Sequence, residues 1–174
     1  MRRVRYCVAM SLDAYIAGPA DEFDWIPMDP DIDFAGLYNE FDTLLLGRRT
    51  YEVTRQHPAP AVPGTRTYVF SQTLRQADCA GVTVSSDAET TVRALKEEEG
   101  KDIWLFGGGV LFENLLRMQL VDAVEVAIVP VLLGAGLPLR PSPASLTSLR
   151  LFEQRTYEKT GIVQLKYSVG DSGS

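Results

Sequence analysis

Apolar positions along the chain alternate between short continuous runs and stripes with helical spacing. Val4–Met10 reads as a first strand, and Thr43–Leu46, Thr67–Phe70, Val82–Ser85 and Ile103–Phe106 read as four more, short and covered on both faces. Between them the period lengthens. Phe34, Leu37, Tyr38 and Phe41 recur at i, i+3, i+4 and i+7, which predicts a helix starting near Asp29-Pro30, with Asp29 as N-cap and Pro30 at the first position. A second helix is expected to open at Gly47-Arg48-Arg49-Thr50-Tyr51-Glu52. Asp87–Glu99 predicts a polar helix that turns Val92 and Leu95 inward and stops at Gly100. Val110–Met118 predicts another, with Leu111, Leu115 and Met118 on one face. Such alternation implies a mainly parallel sheet with helices on both faces.

The pattern changes after Met118. Ala123–Leu133 reads as one long strand ended by Gly134-Ala135-Gly136, apolar enough to pair or pack across a homodimer. Pro138–Pro143 reads as a proline-rich loop. Leu149–Tyr157 and Ile162–Val169 flank Lys159-Thr160-Gly161 as a hairpin, which adds an antiparallel edge to the sheet. Asp171–Ser174 is expected to fray. Two stretches are irregular: Ser11–Gly18, a loop expected to return over the sheet, and Asp21–Pro30, rich in acids and proline and carrying Trp25. Asp13 in the first loop either contacts a ligand or closes an Asx-turn, the turn being favoured on chemistry alone.

Composition narrows the function classes. At 174 residues, 45% hydrophobic and 23% charged, the chain suits one soluble domain, and no apolar run reaches membrane-spanning length. A net charge of −6 argues against nucleic acid as the main partner but leaves a small anionic ligand open. No basic-then-apolar leader precedes the first strand. Cys7 and Cys79 make no disulfide framework, so a reducing, cytoplasmic setting is the default expectation. The single histidine, His57, sits beside prolines in an expected surface loop, with neither metal-ligand spacing nor a nucleophile elbow around it. Metal and hydrolytic chemistry are not expected.

Candidate chemistry gathers at strand ends. Ile103–Phe106 runs into Gly107-Gly108-Gly109 and then a helix start. Missing Cβ atoms allow close approach, and a helix start offers unpaired N–H groups, so the turn can cradle a pyrophosphate. A tight turn without ligand is the plainer alternative, against which stands the backbone entropy that three glycines cost. Gly47-Arg48-Arg49-Thr50 brings arginine forks and a hydroxyl to another helix start. Two anion-competent strand ends point to one extended diphosphate ligand. Ligands of open α/β sheets bind beyond the carboxyl ends of strands, so Met10-Ser11, Gly47–Thr50, Ser71-Gln72 and Gly107–Gly109 are expected to share one cleft.

Four stretches in this order resemble the dihydrofolate reductase superfamily: Met10-Ser11-Leu12-Asp13-Ala14-Tyr15-Ile16-Ala17, Leu46-Gly47-Arg48-Arg49-Thr50-Tyr51-Glu52, Val69-Phe70-Ser71 and Phe106-Gly107-Gly108-Gly109. A fifth, Pro130-Val131-Leu132-Leu133-Gly134-Ala135-Gly136-Leu137-Pro138-Leu139, is similar to stand-alone bacterial proteins akin to the C-terminal reductase domain of the riboflavin-biosynthesis deaminase/reductase. The resemblance implies an α/β fold of the dihydrofolate-reductase-like three-layer sandwich type, in one domain over 1–170, and NADPH as cofactor. Arg48, Arg49 and Thr50 would hold phosphates, Arg49 the adenosine 2′-phosphate. Ser71 and Gln72 would flank the adenosine, and Gly107–Gly109 would take the pyrophosphate. Ala9, Ile16 and Gly18 would border the nicotinamide, with Gly47, Phe106, Val110, Leu111 and Phe112 completing the cofactor site.

For substrate, the resemblance implies a small pterin- or pyrimidine-like heterocycle contacted by Asp13, Trp25 and Phe34. Folate reductases carry a carboxylate on the helix before the Gly-Arg-x-Thr stretch. Ungapped counting from Gly47 favours Asp31 for that position, whereas Phe34 following Asp33 favours Asp33. The alternatives are a 5-amino-6-(5-phosphoribosylamino)uracil reductase and a nucleotide-binding module without turnover.

Overall fold

The computed structural model describes residues 1–56, 64–141 and 145–170. His57, part of the proline-rich loop and the expected C-terminal tail lie outside them. Among the described residues ten strands run in chain order as β1 (Val4–Ser11), β2 (Tyr15–Ala17), β3 (Phe41–Gly47), β4 (Arg66–Phe70), β5 (Thr83–Ser85), β6 (Asp102–Gly107), β7 (Ala123–Val129), β8 (Leu137–Pro138), β9 (Leu149–Tyr157) and β10 (Ile162–Val169). The helices are α1 (Phe34–Asn39), α2 (Arg48–Gln56), α3 (Ala88–Glu97) and α4 (Gly109–Arg117), with a short 3₁₀ turn at Gln76–Asp78.

Eight strands form one sheet in the order β5-β4-β3-β6-β1-β7-β10-β9, and β2 pairs with β8 separately. The first six are parallel, while β10 runs antiparallel to both β7 and β9. Parallel strands need covered faces, and their side chains supply apolar contacts on both sides. On one face Val4, Tyr6, Leu105, Val124 and Val126 pack with Val92 and Leu95 of α3 and Leu111, Phe112 and Leu115 of α4. Tyr6 and Phe112 stack at 4.0 Å between ring centroids. On the other face Tyr38 of α1 stacks on Trp104 at 5.7 Å, and Tyr51 of α2 joins Leu46, Val69 and Phe106. Helices therefore cover both faces, as the strand–helix alternation implies.

Three boundaries differ from the sequence reading. The first helix begins at Phe34 rather than near Pro30, because Asp33 is the N-cap and accepts from the Gly36 amide at 2.8 Å. Asp29 instead accepts from the Asp31 amide and the Thr160 hydroxyl, which ties a turn to the C-terminal hairpin. Phe41 leaves the helix and opens β3. The expected strand Ala123–Leu133 stops at Val129, since Pro130 has no N–H for the ladder. Finally, β7 lies between β1 and β10, both bonded to it, so it cannot pair with a second copy.

Candidate active site

Strand β3 ends at Gly47, β4 at Phe70 and β6 at Gly107, all pointing the same way in the parallel part of the sheet. Their following loops border a single cleft of about 1590 Å³. Small-molecule clefts usually measure roughly 300–1,000 Å³, so this larger one has room for a dinucleotide with a second small ring beside it.

The glycine turn is built for close approach. Gly108 is the N-cap of α4 and has no side chain to cap with, so the first-turn N–H groups of Gly109, Val110 and Leu111 receive no side-chain acceptor from it. All three border the cleft. A Cβ on Gly108 would lie 3.2 Å from the Thr50 hydroxyl, and one on Gly109 would lie 2.8 Å from the Pro138 carbonyl oxygen. Gly47 lies against the same turn at ordinary contact distance, its ideal Cβ being 3.7 Å from the Gly108 nitrogen. The two predicted anion sites are thus adjacent.

Arg48 and Arg49 open α2 on the same cleft, with more than half of each side chain exposed. Arg48 makes a loose 3.7 Å pair with Glu52, and Arg49 Nε meets Asp21 Oδ1 at 2.8 Å. A carboxylate already holds the Arg49 fork at the distance a phosphate oxygen would take. Among the predicted cofactor residues, Ala9, Ile16, Ser71, Gln72, Phe106 and Leu111 also border the cleft. Gly18 and Phe112 do not. Gly18 is buried in a turn with Glu22, and Phe112 faces the opposite side of the sheet, against Tyr6.

The predicted substrate residues separate. Phe34 borders the cleft, and Trp25 packs beside the Val129–Tyr157–Ile162 cluster without reaching it. Asp13 accepts from the Leu133 and Gly134 amides at 3.1 and 2.7 Å and from the Ser11 hydroxyl at 2.6 Å. The Ser11 bond leads in holding its carboxyl below the usual range. Its position is that of a loop organiser. Of the two candidate catalytic carboxylates, Asp33 caps α1 and Asp31 pairs with Lys159 at 2.9 Å; both are exposed and neither borders the cleft.

A buried carboxylate does border it, besides the more exposed Asp21, Asp87 and Glu89. Glu125 is 3% exposed in the middle of β7. Arg5 Nε donates to its Oε1 at 2.6 Å and Arg5 Nη2 to its Oε2 at 3.0 Å. Arg5 also pairs with Glu40 and Asp102. Burial alone would lower the Arg5 pKa, but the bonds and charge of Glu125 and Glu40 outweigh it and raise it. Beside Glu125, Cys7 borders the cleft, and burial together with Glu125 pushes its thiol well up. A charged residue inside an otherwise apolar strand, Ala123-Val124-Glu125-Val126-Ala127, was the available sequence signal.

Comparison with known proteins follows the same outline. A model of the RibD C-terminal domain matches residues 2–163. The uncharacterized proteins YyaP and YwjB of Bacillus subtilis are 34% and 30% identical, over 95% of this chain and 94% and 97% of theirs. A protein of Shewanella sp. PV-4 assigned to riboflavin biosynthesis superposes with a TM-score of 0.81 at 24% identity, covering 98% of this chain and 99% of that one. The deaminase/5-amino-6-(5-phosphoribosylamino)uracil reductase of Thermotoga maritima gives 0.74 at 16% identity, over 97% of this chain and 57% of that longer one. Dihydrofolate reductase of Enterococcus faecalis, complexed with NADP(H), gives 0.71 at 16% identity over 97% of both chains. The fold is therefore dihydrofolate-reductase-like, and by its match along nearly the whole sequence the chain belongs to the RibD C-terminal domain family.

Proposed function

We propose that this chain is an NADPH-dependent reductase that delivers a hydride to a small pterin- or pyrimidine-like heterocycle. The observation that carries the reading is the meeting of Gly47–Thr50 with Gly107–Gly109 on one cleft. There the uncapped start of α4 offers N–H donors and Arg48 and Arg49 offer positive forks, while Ser71 and Gln72 extend the same wall at the end of β4. This donor set suits the diphosphate and 2′-phosphate of the coenzyme. When bound, the nicotinamide supplies the hydride. The protein binds and orients the two rings and excludes water from between them, and Ala9, Ile16 and Phe106 give that end of the cleft its apolar lining.

Titration with NADPH and NADH tests the reading. Arg49→Ala is expected to weaken NADPH about tenfold or more while leaving NADH within about twofold, since a bond to a charged group contributes on the order of 1.5–3 kcal/mol. Equal losses for both coenzymes would remove the 2′-phosphate role. The family match supports a second reading, reduction of 5-amino-6-(5-phosphoribosylamino)uracil, which complementation of a strain lacking that step would test.

A further inference from the structure

Residues 137–140 run between two walls of the cleft. On one side, Leu137 and Pro138 of β8 pair with Ala17 and Tyr15 of β2, and the Leu139 amide donates to the Ala14 carbonyl at 2.9 Å. That bond reaches a residue at φ +66°, a conformation disfavoured for a side chain and kept only where the surroundings enforce it. β2 carries Ile16 and Ala17 to the cleft. On the other side lies α4. The Pro138 and Leu139 carbonyl oxygens stand 2.8 and 3.0 Å from an ideal Cβ on Gly109, its first residue. A strand of two residues has too few ladder bonds to fix its own place between these neighbours.

Arg140 supplies what is missing. Its Nε donates to Glu113 Oε2 at 2.7 Å, its Nη2 stands 2.6 Å from the same oxygen, and its Nη1 donates to the Ser145 carbonyl at 3.1 Å. Glu113 is 3% exposed, and its fellow buried residues on α4 are Leu111, Phe112, Leu115 and Leu116. It follows Gly109 by four residues, so it lies one turn further along the same side of the helix. The segment therefore meets α4 twice, by backbone contact at Gly109 and by an ion pair at Glu113. Arg117 also reaches Glu113, at 3.5 Å, but from an exposed position. Apolar side chains would hold a merely structural contact at least as tightly as a buried ion pair does. What the charged pair adds is a single defined position.

We propose that Arg140 and Glu113 are a positioning pair. They set residues 137–140 against α4, and through that segment they fix the spacing between the glycine turn and β2. One coenzyme would have to span that distance from pyrophosphate to nicotinamide. Neither Arg140 nor Glu113 borders the cleft, so both act through their neighbours. The proposal rests on the reductase reading for what fills the cleft.

Amide hydrogen exchange read by NMR, with ligand titration of the same preparations, tests this in Arg140→Gln. Without ligand, the Leu139 amide is expected to exchange about tenfold faster than in the wild type, matching the loss of a bond to a charged group, while β1 amides stay within about twofold. NADPH is expected to bind about three- to tenfold more weakly, whereas 2′-AMP, which lacks the pyrophosphate and the nicotinamide, stays within about twofold. An unchanged Leu139 amide, an equal acceleration through β1, or equal losses for NADPH and 2′-AMP would each overturn the proposal. Arg140→Gln leaves the Glu113 charge buried. Should it fail to fold, the double variant Glu113→Gln/Arg140→Gln, which strands no charge, is scored on the same outcomes. A wild type that binds neither NADPH nor 2′-AMP would remove the reductase reading, and exchange at Leu139 against β1 would then decide the positioning pair by itself.

Discussion

Asp29 lies under the loop that walls the cleft, 2% exposed, and accepts from the Thr160 hydroxyl at 2.6 Å and the Asp31 amide at 2.8 Å. The Thr160 bond leads in holding its carboxyl below the usual 3.8, and Asp13 is lowered likewise by Ser11. A carboxylate with a depressed folded-state pKa stabilises the fold above its unfolded value, and that contribution is lost as pH falls through the folded one. Thermal unfolding is therefore expected to move to lower temperature below about pH 4, with a shallower fall in Asp29→Asn, whose side chain no longer titrates there. Arg49 gives a second prediction at this scale. Its pair with Asp21 must open before a phosphate can enter, and an exposed pair contributes about 0.2–1 kcal/mol, so Asp21→Asn should tighten NADPH about two- to fivefold in a fluorescence titration. That these two arginines and the glycines border one cleft was legible from residue identities, because they stand at strand ends with the residue types that anion binding would need. Residue identities did not announce Glu125, whose strand reads as apolar on either side. They also left Asp13, Asp31 and Asp33 open, because a carboxylate that caps, pairs or closes a turn has the same letter as one that meets substrate.

Among elements, the short parallel strands and the helices after them were legible from periodicity, since burial on two faces leaves continuous apolar runs. The pair β2–β8 was not: strands of three and two residues carry no period, and each is defined by a partner about 120 residues away. α1 was placed too early because Phe34, Leu37, Tyr38 and Phe41 satisfy helical spacing whether or not the last belongs to the next strand. What fixed the start was the choice of cap, and Asp29 was engaged by Thr160. Asp33→Ala is expected to cost about 1 kcal/mol in chemical denaturation, the usual loss for a cap. At α4 the constraint is space. Gly109→Ala drives a methyl against the Pro138 and Leu139 carbonyl oxygens, 2.8 and 3.0 Å from an ideal Cβ. Overpacking of that kind costs about 1–3 kcal/mol, and the displaced β8 segment should also weaken NADPH in the same preparation.

For the whole molecule, the order of strands decides what the surface can do. No described helix is long and apolar enough to cross a membrane. β5 and β9 are the outer strands, and β9 exposes Leu149, Leu151 and Phe152 at 43%, 46% and 51%. An apolar edge of this length invites pairing with another chain. Homodimer formation is accordingly expected through β9 rather than through β7. Light scattering should report twice the 19.2 kDa chain mass for the wild type and a shift toward the single chain for Leu151→Lys. The overall class was readable because strand and helix alternate. The strand order was not, since it depends on pairings such as Arg5 with Trp104 and Ala123, which leave no local mark.

Those same pairings bear on how the protein is made. Of the described strands β1 is translated first, yet its partners on either side are the sixth and seventh. Val4 meets Ile103 in β6 and Arg5 meets Ala123 in β7, so one edge waits for 99 further residues and the other for 118. Loop closure over that span makes folding slow and late, and it falls to the emerging chain, or to whatever chaperone shields it, to keep that first strand from a wrong partner.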